Sequence, residues 1–221
     1  MRILAAILWK DLVTEWRSRD RVVAMLVFSL LVVMVFHFAL PQGTGKQIAI
    51  HAPGLLWVAF VFAALIGLNR AFAMELENDA LAGLALAPLD RGWVFLGKAI
   101  SNVLLIGITQ VLTAAAFAFV FDLDLLSSAG SLGLIFLLGT LGISSVGTLF
   151  AAMAARTRFR EVLLPILLLP ALFPVLAGAV EGTMEAIRDG TASFASIQLL
   201  LVVDGIYWII CFIGFEFVLD E

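Results

Sequence analysis

Leu132-Gly-Leu-Ile-Phe-Leu-Leu-Gly-Thr-Leu-Gly-Ile-Ser-Ser-Val-Gly-Thr-Leu-Phe-Ala-Ala-Met-Ala-Ala155 contains no charged residue and no proline. Wound as a helix at about 1.5 Å per residue, such a run exceeds the roughly 30 Å hydrocarbon thickness of a bilayer. Its apolar positions are continuous and do not alternate with polar ones, which disfavours a transmembrane barrel strand. The run reads as a helix whose solvent is lipid. Gly133, Gly139, Gly142, Ser144, Ser145 and Gly147 give it a thin surface that other helices can approach closely.

Five further runs of the same kind lie outward from it, at 22–40, 52–68, 99–121, 162–180 and 197–219. The expected fold class is therefore an all-α membrane protein with six transmembrane helices, and no connecting segment is long enough for a second folded domain. Composition agrees: 63% of the 221 residues are hydrophobic and 14% charged, against roughly 45–50% and about 25% in soluble domains. This balance excludes a secreted disulfide scaffold and a disordered chain. The single cysteine, Cys211, cannot form an internal disulfide and reads as a small buried apolar residue.

Orientation follows from where Lys and Arg fall. All but two of the 13 basic residues lie before the first run, between the second and third, or between the fourth and fifth; Lys46 and Arg188 are the exceptions. Both termini are thus expected in the cytoplasm. The first run is read as a retained span, since a polar-interrupted stretch precedes it and no clear small-x-small cleavage site follows.

Three segments are not spans. Residues 1–21 have helical periodicity, with Leu4, Leu8, Leu12 and Trp16 four apart and Lys10, Thr14, Arg17 and Ser18 opposite, as expected of a helix lying in the cytosolic interface. Segment 69–98 is helical over 72–87, with Phe72, Leu76, Ala80 and Leu84 on one face, before Pro88 stops it. Glu75, Glu77 and Asp79 make it an acidic cytosolic helix suited to a groove on a partner. No metal site is expected there, because no histidine accompanies the acids and Glu75 and Glu77 point to different faces. Segment 181–196, with Glu181, Glu185, Arg188 and Asp189, is too polar to span and is placed on the outer side as a short amphipathic helix.

No catalytic residue is assigned. The chain has no GxxxxGK[ST] loop, HExxH, CxxC or CxxCH, so the common phosphate-loop ATPase, zinc-protease, thiol-redox and covalent-haem readings fall away. His37, near the outer end of the first span, is a candidate haem contact, and Asp204, inside the sixth, a candidate on a substrate or proton path. Sparse intramembrane charge argues against an ion-coupled secondary transporter. Pro165, Pro170 and Pro174 each remove a backbone hydrogen bond from the fifth span, which is expected to bend.

Taken in order, Ala52-Pro-Gly-Leu-Leu-Trp57, Glu75-Leu-Glu-Asn-Asp-Ala-Leu81 with Pro88 and Gly97-Lys98, Leu138-Gly-Thr-Leu-Gly-Ile-Ser-Ser-Val-Gly-Thr-Leu149, and Arg156-Thr-Arg-Phe-Arg-Glu-Val-Leu-Leu-Pro165 resemble the cytochrome c maturation protein B, or haem exporter protein B, family. The similarity runs over nearly the whole chain. It implies a type-2 ABC exporter-like arrangement in which 69–98 is the coupling segment. Phe72, Glu75, Leu76, Glu77, Asp79 and Leu84 would then meet the ATPase. Family members typically carry Gly-(Ser/Thr)-Leu where this chain has Asp79-Ala80-Leu81, a departure confined to that helix.

The resemblance further implies a permease subunit that is not itself an enzyme and binds no resident cofactor. Its partners would be a cytosolic ABC ATPase (the A protein) that uses ATP, a membrane haem-handling C protein, a small D protein and a periplasmic haem chaperone, the E protein. Haem would be the substrate, two copies of the chain would be present, and no nucleic acid is involved. The rival expectation is a non-transporting scaffold that anchors the ATPase and the other maturation subunits.

Overall fold

The computed structural model describes residues 2–40, 45–77, 91–155, 157 and 159–218, as backbone alone at 2–5, 45–49, 72–77 and 91. These residues form eight helices and no strand: α1 (Arg2–Ser18), α2 (Asp20–Ala39), α3 (Gly45–Glu77), α4 (Arg91–Phe121), α5 (Ala129–Ala155), α6 (Arg160–Ala171), α7 (Phe173–Asp189) and α8 (Phe194–Val218). Five of them are long and apolar enough to cross a membrane, and six spans result if α6 and α7 together form one.

The helix quoted first is the centre. In α5, 78% of the apolar window is buried, against 17% in α2 and in α8, and it packs on α3, α4, α6, α7 and α8. Its small residues make this possible. A Cβ on Gly139 would lie 2.2 Å from Trp57 Cη2, and one on Gly147 would lie 2.4 Å from Leu68 Cδ1, so α3 lies against α5 only because both positions are glycine. The exposed faces of α2 (Val27, Leu31, Met34, Val35) and α8 (Val202, Ile206, Ile209, Ile213) are apolar, as surfaces facing lipid should be.

Several boundaries differ from those read in the sequence. The second span is longer than the 52–68 read in the sequence: α3 begins at Gly45 and continues to Glu77, with Pro53 inside it, a proline being tolerated in a membrane helix whose neighbours cover it. The third begins at Arg91, because Val94 and Phe95 are buried and this turn is part of the packed bundle. The fifth is two helices, α6 and α7, bent by 61° at Leu172. Residues 181–189 are not a separate segment but the second half of α7, which ends at Gly190 with φ +79°, the left-handed C-cap that glycine adopts without strain.

The face assigned to α1 also changes. Leu8 and Leu12 are half-buried, but Trp9 and Trp16 are 73% and 78% exposed, while Glu15 is buried. Ile7 lies against Gly97 of α4, Asp11 pairs with Lys98, and Glu15 Oε1 accepts from the Val22 amide at 2.9 Å. The polar residues turn inward because they meet partners there, and Glu15 supplies the first turn of α2 with an acceptor its own flank lacks.

Candidate functional site

Two arrangements of polar side chains stand out in the interior. The first is the break in the fifth span. Pro170 is the next-to-last residue of α6 and Pro174 lies in the first turn of α7, so each removes a donor where the helix turns. Leu172 N–H bonds to Leu168 O at 2.9 Å, and Leu176 N–H to Leu172 O at 2.8 Å. The carbonyl of Ala171, at the C-terminus of α6, is met from another helix: the Tyr207 hydroxyl of α8 donates to it at 2.5 Å. Pro165 sits inside α6 without interrupting it.

On the same helix as Tyr207, Asp204 is 5% exposed. A Cβ on Gly142 of α5 would lie 2.6 Å from its Oδ1 and 2.8 Å from Val175 Cγ2, which places the carboxyl between α5 and the first turn of α7. On the far side of the break, Trp57 Nε1 donates to Thr183 Oγ1 of α7 at 3.0 Å. Its ring packs edge-on with Phe60 and Phe136 at 5.4 and 6.0 Å between centroids. The broken span is thus gripped by α3, α5 and α8.

The second arrangement lies where α1, α2 and α4 meet. Lys98, with its side chain 4% exposed, pairs with Asp11 at 3.1 Å. Arg21 donates to Asn102 Oδ1, and Asn102 Nδ2 donates to Thr148 Oγ1 at 2.8 Å. Arg70 Nη1 reaches the Asp20 carbonyl at 3.2 Å. Buried charges that are hydrogen-bonded in this way tie helices in one geometry, since removing either partner strands the other. One end of the bundle, carrying α1, the start of α2 and the end of α3, is therefore bracketed by specific polar contacts.

Sequence reasoning singled out neither Asn102 nor Thr148, and treated Arg21 and Lys98 only as basic flanks. One available signal was Asp11 and Glu15 spaced four apart on an otherwise basic helix. Another was Tyr207, the one tyrosine of the chain, three residues from Asp204.

Of the residues assigned from the sequence, His37 is exposed near the end of α2, its ring edge-on to Phe38 and Phe121 at 5.5 and 5.7 Å. It is not joined to Asp204, because α2 and α8 make no contact among the described residues. Asp79 and Leu84 lie outside the described residues, as do the side chains of Phe72, Glu75, Leu76 and Glu77. The backbone over 72–77 continues α3. Among the described residues, no three His, Cys, Asp or Glu side chains converge as a metal site.

The sequence was compared with those of known proteins. The family model described as CcmB protein matches residues 2–212. Heme exporter protein B of Rhodobacter capsulatus is 32% identical over 204 residues, covering 92% of this chain and 90% of that protein. Heme exporter protein B of Paracoccus denitrificans is 30% identical over 209 residues, with the same shares of 92% and 90%. That of Pseudomonas aeruginosa is 30% identical over 185 residues, covering 80% of this chain and 82% of its own. A match that spans both chains almost end to end takes in the small residues of α5, the prolines of the broken span and the polar bracket together, and the chain belongs to the CcmB protein family.

Proposed function

We propose that this chain is the permease subunit of an ABC-type haem exporter complex for cytochrome c maturation, residing in a bacterial inner membrane with both termini in the cytoplasm. The observation that carries the reading is the near full-length similarity to proteins named Heme exporter protein B. The distribution of Lys and Arg supports the orientation. Energy would come from a separate cytosolic ATPase, since the chain itself carries no phosphate loop. Two copies of the chain would act with that ATPase, the C and D membrane proteins and the periplasmic E chaperone, to deliver haem or to release the loaded chaperone.

The segment 69–98 is the docking element of this proposal. Helix α3 leads into it and α4 leads out of it, so displacement of one short segment would be felt by two spans. Phe72, Leu76 and Leu84 would fill an apolar groove of the ATPase, with Glu75, Glu77 and Asp79 along its rim. Replacing Leu76 and Leu84 together by Asp is expected to abolish co-purification with the ATPase. Unchanged binding and unchanged coupling of ATP hydrolysis would refute the assignment.

The scaffold reading is separated by haem itself. A transporting subunit retains haem after purification with its partners and loses it in His37→Ala or Asp204→Ala. A scaffold retains the ATPase and carries no haem in any of these preparations.

A further inference from the structure

Within α8 the buried carboxylate is also the polar group with nothing to bond. Asp204 is 5% exposed, and among the described residues neither Oδ1 nor Oδ2 has a hydrogen-bond partner. A buried charge without a partner is normally relieved by neutralisation or by a donor brought to it. The neighbouring elements bring no charged partner to it. Helix α5 carries no charge at all, and the charged residues of α7, namely Glu181, Glu185, Arg188 and Asp189, all fall in its second half. On α4, Lys98 is engaged with Asp11. On α8 itself the titratable groups facing the same way are Tyr207 and the buried Cys211, and Glu216 is exposed more than three turns away.

Position makes this carboxyl more than a neutral filler. Asp204 and Val175, in the first turn of α7, both lie against Gly142, while Tyr207, three residues on from Asp204, holds the last carbonyl of α6. Residues at this spacing share a helix face. Asp204 and Tyr207 therefore address the two sides of one 61° break.

We propose that Asp204 is a proton-binding site that sets the state of the broken span. With its proton on, the carboxyl is neutral and the Tyr207 hydroxyl remains on Ala171 O. When that proton leaves to water, the carboxylate becomes a stronger acceptor than a peptide carbonyl. The Tyr207 hydroxyl keeps its own hydrogen and turns to Asp204. The Ala171 carbonyl, at a helix C-terminus where no intrahelical donor follows, loses its donor, and the bend loses its hydrogen bond to α8. The ligand is a proton, and the proposal concerns this chain alone, whatever the complex carries.

The chain holds one tyrosine, so tyrosine labelled with carbon-13 at Cζ gives a single resonance that reports its hydrogen bond. The full chain in lipid nanodiscs is titrated while this resonance and the infrared carbonyl band of protonated carboxyl groups are followed. The expected result is an acid band at neutral pH that Asp204→Asn removes, which fades as pH rises together with a step in the tyrosine shift. In Asp204→Asn the tyrosine stays at its low-pH position throughout. Absence of an acid band that depends on Asp204 overturns the proposal. So does a tyrosine shift that stays constant while the band fades. Should the Asn variant not fold, coincidence of the two steps in the unmodified chain decides in the same way.

Discussion

Alanine at Gly139 would place a methyl carbon 2.2 Å from Trp57 Cη2, 2.8 Å from Cζ3 and 3.1 Å from Cζ2. The indole has little room to retreat. It is 1% exposed, bonded through Nε1 to Thr183 Oγ1 at 3.0 Å, and enclosed by Phe60 and Phe136. Overpacking of this kind costs about 1–3 kcal/mol, and a displaced indole forfeits a hydrogen bond worth about 1 kcal/mol. Against this, alanine gains roughly 0.5–1 kcal/mol over glycine in a helix. The expected net loss is about 2 kcal/mol, or roughly thirtyfold in the folded-to-unfolded ratio.

Gly133, on the same helix, has nothing within 4 Å of its would-be Cβ, so Gly133→Ala should be neutral or slightly stabilising. Unfolding in mixed micelles, followed by far-ultraviolet circular dichroism, compares the two. A double-mutant cycle then isolates the contact: in Trp57→Phe, whose ring does not reach as far, Gly139→Ala should cost about 1 kcal/mol less than alone. Equal effects of Gly139→Ala and Gly133→Ala, or strict additivity with Trp57→Phe, would show that close approach of α3 to α5 is not what the glycine is for.

Asp11→Ala leaves the buried Lys98 ammonium without this carboxylate. It should loosen α1 by about 3 kcal/mol, read as faster amide exchange over residues 2–18, while Lys10→Ala, at a pair that is half exposed, should change it by less than about 1 kcal/mol. Asn102→Leu removes the acceptor of Arg21 and the donor to Thr148 together. It should destabilise the bundle by about 3 kcal/mol, measured by the same unfolding assay, with Ser29→Ala, which loses one hydroxyl contact to Thr113, costing about 1 kcal/mol.

The membrane character and the helices were legible because continuous apolar runs leave the chain no other way to satisfy its backbone in lipid. Helix ends were less legible. Hydropathy marks where lipid stops, not where the helix stops, and α3 and α4 both run past that point: Lys98 is charged yet packed. The prolines announced a weak point in the fifth span, but the side chains packed around the break, Tyr207 and Gly142's neighbour Asp204, come from elsewhere in the chain and are not marked by spacing. The inward turn of Asp11 and Glu15 was hidden for a related reason. A leucine spacing of four names an apolar face, whereas the partners that draw the acids inward lie far along the chain at Lys98, or beyond the helix end at Val22.

The contacts also bear on where motion would be absorbed if the proposed function holds. Helix α3 is continuous over 33 residues, about 50 Å at 1.5 Å per residue, so it carries a displacement at Glu77 as a rod. Its specific grip on the far half of the broken span is Trp57 on Thr183, in α7. Helix α4, leaving the same segment, is bound to α1 through Lys98 and to α2 and α5 through Asn102. Both arms join the polar bracket, α3 through Arg70 on the Asp20 carbonyl, but only α3 also carries a side-chain hydrogen bond to the half of the fifth span beyond the break. Pulling such arms unequally does not tilt the bundle as a block. It changes the angle between α6 and α7, where Pro170 and Pro174 carry no backbone donor, Leu172 makes the backbone bonds on either side of the break, and the Tyr207 hydroxyl adds a bond from α8.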